Sequence, residues 1–190
     1  MSTILFTGGC RSGKSTLAQR WVEEASPSRA YVATARCRRI VEESGCTTGT
    51  DDEMRVRIAR HQQLRGKGWC TVEADELSPH RPLDAVTALE VAACRAEAIL
   101  FDCVTLWLSE WVCCNADDVR ILSQVDVLAD WLRSASRPIA LVTNEVGWGV
   151  VPSTPLGRRF RDMAGLANQR LAAACDSVRL VVCGLPLTLK

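Results

Sequence analysis

A chain of 190 residues with 47% hydrophobic content has room for one substantial core, and its net charge of +1 supplies no field that would make nucleic acid or an anionic membrane the main partner. No run approaches the roughly 20 apolar residues of a membrane span. Ten cysteines would suit a small secreted disulfide scaffold. However, no N-terminal stretch has the form of a signal peptide, no C-x-x-C occurs, and His61 and His80 lack metal-ligand spacing with the cysteines. A cytoplasmic location is therefore expected, with most cysteines, such as Cys103 and Cys183, as small core residues and no zinc site.

Residues 4–7 read as an apolar strand, and a helix is expected from about residue 13 to residue 25, where Ser26-Pro27 stops it. Between them Gly8-Gly9-Cys10-Arg11-Ser12-Gly13-Lys14-Ser15 satisfies G-x-x-x-x-G-K-[ST] in the strand–loop–helix setting that this motif requires. The glycines let successive N–H groups turn toward phosphate oxygens, and the following helix adds the partial positive charge of its N-terminus. Lys14 is expected to reach the β- and γ-phosphates and Ser15 to hold Mg2+. Lysine is rare in this chain, so Lys14 is not a by-product of composition: only Lys14, Lys67 and Lys190 stand among its 23 basic residues.

A second strand is expected at residues 30–33, followed by a loop insertion at residues 36–50 that is rich in small polar side chains. Asp51, Asp52 and Glu53 suit a helix N-terminus, and Met54, Ile58 and His61 then share one inward face. Two readings of His61 are open. It is either a core histidine with satisfied nitrogens or a nucleophile toward phosphorus, kept neutral by Arg55, Arg57, Arg60 and Arg65. Those arginines in turn either neutralise a triphosphate or form a solvated face.

Residues 78–82 read as a short loop. The strand at 98–101 ends on Asp102, where a nucleoside triphosphatase of this loop type needs a carboxylate to organise Mg2+. The strand at 139–143 leads to Glu145 in the equivalent position, with a direct catalytic role and none both open. Residues 144–152 are either a site loop or a tight strand-to-helix connection. Thr154 can cap a helix with Pro155 at its first position, running to about residue 175, and residues 178–183 form a last strand. Strands apolar on both faces and separated by helices indicate an α/β fold, a mainly parallel sheet covered on both sides. No repeat or linker divides it, so residues 1–190 are expected to form one nucleotide-binding domain.

These residues together resemble the bifunctional adenosylcobinamide kinase/adenosylcobinamide-phosphate guanylyltransferase family of cobalamin biosynthesis. The resemblance rests on the phosphate-binding loop, Tyr31-Val32-Ala33-Thr34-Ala35, Asp51-Asp52-Glu53-Met54 with Arg57, Ile58 and His61, and Val142-Thr143-Asn144-Glu145-Val146-Gly147-Trp148-Gly149-Val150-Val151-Pro152. It continues in Phe160-Arg161-Asp162-Met163-Ala164-Gly165 and Asn168-Gln169-Arg170-Leu171-Ala172, and so spans nearly the whole chain. It implies a RecA-like P-loop NTPase fold, a homotrimer, and two reactions with GTP and ATP as substrates. A triphosphate phosphorylates the aminopropanol hydroxyl of adenosylcobinamide; GTP then guanylylates His61, and GMP passes to adenosylcobinamide phosphate to give adenosylcobinamide-GDP.

By the same resemblance, nucleotide contacts fall on the loop, on Ala33, Thr34 and Ala35, on Gln62, Gln63, Leu64 and Arg65, on Glu73 and on Asp102. The sequence departs from the family pattern at Ala35, which lacks a hydroxyl, at Cys10 within the loop, and in the length of residues 36–50. The rival readings are a small-molecule kinase without a covalent intermediate and a RecA-like switch or nucleic-acid-remodelling module. The near-neutral charge, one tyrosine and three phenylalanines count against the latter.

Overall fold

Strand β1 (Thr3–Gly8) is buried at every position, because both of its faces are covered and its side chains alternate between two apolar layers. A computed structural model describes residues 2–36, 39–41, 47–50, 52, 55–56, 58–59, 63 and 66–190. Its main sheet comprises β1, β2 (Arg29–Ala33), β5 (Trp69–Glu73), β6 (Ala98–Asp102), β7 (Ile139–Val142), β8 (Ser177–Val182) and β9 (Leu185–Thr188). The strand order is β5-β2-β6-β7-β1-β8-β9, parallel throughout except for β9, which runs antiparallel to β8.

Leu5, Val32, Ile99, Phe101 and Leu141 face a layer of helices formed by α3 (Ala85–Arg95), α4 (Val104–Cys113), α5 (Asp118–Ser134) and α6 (Pro155–Ala174). Ile4, Phe6, Tyr31, Leu100 and Val142 face the opposite way, onto Ala18 and Val22 of α1 (Lys14–Ala25). The expected doubly covered α/β sheet is what forms. All five expected strands are present, and Thr154 caps α6 by accepting from the Gly157 N–H at 3.2 Å.

Strands β5 and β9 lie outside the expected set. Both are edge strands, only partly buried in β5 and exposed in β9, so neither carries the unbroken apolar run that marks the five interior strands. The region expected as a loop at 36–50 contains a two-stranded antiparallel ribbon, β3 (Arg39–Val41) with β4 (Thr47–Thr50). Its β-branched residues Ile40, Val41, Thr47, Thr48 and Thr50 favour extended backbone over the coil that the intervening small residues suggest. Further on, Asp52, Arg55, Val56, Ile58, Ala59 and Gln63 are helical, with Ile58 half-buried and the others exposed.

Parallel register brings the functional strand ends into line. Glu73 pairs with Ala33, Ala33 with Asp102, Asp102 with Val142, and Val142 with Phe6. Strand β1 runs two residues beyond this row to Gly8, so the loop that follows opens over the carboxyl ends of its neighbours.

Candidate active site

The loop between β1 and α1 is shaped by backbone that ordinary residues avoid. Gly8 has φ +151° and Gly13 φ +96°, and Arg11 takes the left-handed conformation at φ 57°. A side chain at Gly8 would bring its Cβ within 2.4 Å of the Val181 carbonyl oxygen, so β8 leaves room only for glycine there. The Ser12 N–H donates to the Gly9 carbonyl at 3.3 Å, and α1 starts with the Leu17 N–H donating to Gly13 at 3.1 Å.

The β8–β9 hairpin buttresses the loop from outside. Its turn residues Cys183 and Gly184 both have positive φ, 51° and 81°, the requirement of a tight two-residue hairpin turn. The Gly184 N–H donates to the Ser12 carbonyl at 2.8 Å, and a Cβ on Gly13 would lie 3.3 Å from the Gly184 Cα. Ser12 Oγ is buried and has no hydrogen-bond partner among the described residues, a polar group inside the loop that a phosphate oxygen would satisfy.

Lys14 is only 7% exposed, and its ammonium donates to the Gly9 carbonyl at 2.8 Å. Burial holds its pKa below the usual lysine value, a shift partly opposed by the electrostatic influence of its neighbours, among them the Asp102 carboxylate. An under-solvated ammonium of this kind gains more from a neighbouring phosphate than a solvated one does. The neighbouring Cys103 thiol is pushed up to about 12, first by burial and then by the Asp102 charge, which makes it an inert core group.

Asp102 ends β6 half-buried and accepts from the Tyr31 hydroxyl at 3.0 Å. Thr34 is buried and ties the end of β2 to the turn after β6: its hydroxyl donates to the Cys103 carbonyl at 2.9 Å and accepts from the Cys103 N–H at 2.6 Å. Ala33 is buried, Ala35 half-buried, and Glu73 sits half-buried where β5 gives way to α2 (Ala74–Leu77). Gln63 is an exposed helical residue, and Cys10 is exposed on the loop. His61, Gln62, Leu64 and Arg65 lie outside the described residues.

Glu145 belongs to a connected polar network at the same sheet end. Its Oε1 accepts from Thr7 Oγ1 at 2.5 Å and from Asn168 Nδ2 at 3.2 Å, while its N–H donates to the Gly8 carbonyl at 3.1 Å. Asn168 also donates to the Asn144 carbonyl at 3.1 Å and accepts from Thr143 Oγ1 at 2.7 Å. The segment after it forms a short 3-10 turn, Val146–Trp148, and then an exposed stretch. A Cβ at Gly147 would meet nothing within 4 Å, so close packing does not require that glycine.

A profile described as "Cobinamide kinase / cobinamide phosphate guanyltransferase" matches residues 4–189. The chain belongs to this family. Its curated relatives include the bifunctional adenosylcobalamin biosynthesis protein CobP of Pseudomonas aeruginosa, 37% identical over 186 residues that cover 98% of this chain and 96% of that protein. The corresponding protein CobU of Salmonella typhimurium is 36% identical over 199 residues, covering 98% and 99%. That of Escherichia coli is 34% identical over 200 residues with the same coverage.

Among solved structures, a KaiC-like protein of Pyrococcus horikoshii is similar at TM-score 0.50 and 13% identity, over 94% of this chain and 70% of that one. An ATPase of a bacterial type III secretion system matches at TM-score 0.50 and 16% identity, over 98% and 56%. These two likenesses concern the fold alone, a mainly parallel sheet flanked by helices. As a member of the cobinamide kinase and guanylyltransferase family the protein is a transferase of adenosylcobalamin biosynthesis. Among its described residues no helix is long and apolar enough to cross a membrane.

Two features of this family member's site escape sequence reasoning. The buttress of the phosphate loop by Gly184 depends on an exposed strand with no apolar signature, although the Cys183-Gly184 pair carries a turn signal. Arg36, at the start of the expected loop, is buried instead. Its Nε lies 2.5 Å from Glu110 Oε1, and its guanidinium donates to the carbonyls of Ser78 at 2.5 Å and Arg81 at 3.1 Å. A charged pair this deep has no periodic signal, because each partner reads as a surface residue in its own segment.

Proposed function

We propose that this chain phosphorylates adenosylcobinamide with a nucleoside triphosphate and transfers GMP from GTP, through a guanylylated His61, to adenosylcobinamide phosphate. The observation that carries the reading is the buried Lys14 ammonium, held at the mouth of a glycine-shaped loop beside Asp102. Family membership over residues 4–189 supplies the acceptor chemistry.

The loop N–H groups and the α1 N-terminus bind the triphosphate, and Lys14 balances charge on the transferred group. The imidazole of His61 attacks the α-phosphorus of GTP: a nitrogen–phosphorus bond forms, the bond to the β-phosphate oxygen breaks, and pyrophosphate leaves. A phosphate oxygen of the second substrate then attacks the same phosphorus and releases the histidine. Splitting the transfer in this way replaces one difficult displacement with two easier ones. Glu73, Gln63 and the ends of β2 and β6 supply further nucleotide contacts.

Ser15 and Asp102 offer hard oxygen donors at the start of α1 and the end of β6, a donor set suited to Mg2+, which takes few protein ligands and fills its shell with water and phosphate oxygens. Bound there, the ion would supply charge neutralisation on the phosphates. We include a homotrimer in the reading. The exposed side chains of Leu185, Leu187 and Leu189 at the β9 edge support self-association.

The test is product analysis. Incubated with adenosylcobinamide, GTP and magnesium, the protein should yield first the phosphate and then adenosylcobinamide-GDP. Phosphate without the GDP product would leave only the kinase half of the reading.

A further inference from the structure

We infer that Glu145 is the general base of the kinase half-reaction, accepting the proton of the cobinamide hydroxyl as that oxygen attacks the γ-phosphorus. This rests on the two-reaction reading above. The placement is structural: β7 lies between β6 and β1, so the residue three positions beyond its end stands between Asp102 and the phosphate loop.

Three tethers hold Glu145 there. Its N–H binds the Gly8 carbonyl at 3.1 Å, and its Oε1 accepts from Thr7 at 2.5 Å and Asn168 at 3.2 Å. Both side-chain bonds fall on the same oxygen. Oε2 accepts no hydrogen bond among the described residues, and the carboxylate is half-buried at the open end of the sheet. A carboxylate fixed by one oxygen and offering the other is suited to receive a proton from an acceptor hydroxyl. Asp102 is differently committed, bound to the Tyr31 hydroxyl and close to the Lys14 charge.

In the step itself the hydroxyl oxygen forms a bond to the γ-phosphorus, its proton passes to Glu145 Oε2, and the bond from that phosphorus to the β-phosphate oxygen breaks. The nucleoside diphosphate leaves with the electron pair. The guanylyl transfer needs no such base, because its acceptor is a phosphate oxygen already ionised. Glu145 therefore serves one reaction of the two, and that selectivity separates a catalytic role from a structural one.

Glu145→Gln keeps an oxygen able to accept from Thr7 and Asn168 but removes the basicity. With adenosylcobinamide and triphosphate, its phosphorylation rate should fall by about 10²–10⁴-fold. With adenosylcobinamide phosphate and GTP, the same sample should form adenosylcobinamide-GDP within about threefold of the unaltered protein. Glu145→Ala should be equally impaired and regain phosphorylation when formate is added. Near-normal phosphorylation by Glu145→Gln, or a parallel loss of both reactions, would overturn the assignment. Failure of the unaltered chain to phosphorylate adenosylcobinamide would instead overturn the underlying reading.

Discussion

Asp176 collects donors from the start of the first strand onto a single oxygen: the Ser2 N–H at 2.8 Å, the Thr3 N–H at 3.1 Å and the Ser2 hydroxyl at 3.2 Å. The two backbone N–H groups are the main reason its pKa lies below the ordinary 3.8. A carboxylate depressed in the folded state stabilises the fold fully above its unfolded pKa and loses that contribution as pH falls through the folded one. Asp176→Asn should therefore unfold at lower urea concentration near neutral pH, with the difference from the unaltered protein shrinking as pH falls below the ordinary 3.8 and through the depressed folded value. Persistence of the difference in acid would show that the charge is not its source. At the phosphate loop, Gly13→Ala must adopt φ +96° and press against the Gly184 Cα, costing about 1–2 kcal/mol from conformation alone. The stabilisation by GTP in thermal melts should shrink accordingly, and an undiminished shift would mean that the loop relaxes freely. Lys14 and Ser15 were legible in the sequence because a phosphate-binding loop is a local device with fixed spacing. Thr34 was expected, by the family resemblance, as a nucleotide contact; its hydrogen bonds to Cys103, 69 residues away, follow from strand order and have no local sign.

Among the elements, α4 does more than cover the sheet. Its Glu110, 6% exposed, pairs with Arg36 at the point where the chain leaves β2, and it also accepts from the Leu83 N–H at 3.4 Å. Removing Glu110 leaves the buried Arg36 charge with only the exposed Asp75 carboxylate, 3.5 Å away, so Glu110→Ala should cost about 3 kcal/mol in urea unfolding. A loss under about 1 kcal/mol would show that Asp75 or solvent compensates Arg36 in place of Glu110. The α6 cap is a smaller effect: Thr154→Ala should cost about 1 kcal/mol by the same measurement, and no loss would mean that the capping bond is not formed in solution. That helix was legible to within a residue at its start, since Thr154 and Pro155 are a start signal in sequence. The β3–β4 ribbon was not, because glycine and serine between its strands weigh toward coil, while strand pairing depends on which segments meet.

At the scale of the molecule, five interior strands could be read from apolar runs, and they sufficed to indicate a parallel sheet with a phosphate loop on one end. Their order could not, since it is set by how the helices pack across the two faces. That order makes the site: it lines up the ends of β5, β2, β6 and β7 beside the loop and brings Glu145, 137 residues downstream of Gly8 in sequence, into contact with it. In light scattering, the proposed homotrimer should appear as a mass three times that of one chain, and a monomer at working concentration would remove that part of the reading. The most direct test of the whole account is to incubate the protein with α-labelled GTP and magnesium and map the label. Acid-labile, base-stable GMP on the peptide containing His61, absent from His61→Ala while that variant still phosphorylates adenosylcobinamide, is the predicted result; active protein that carries no label would contradict it.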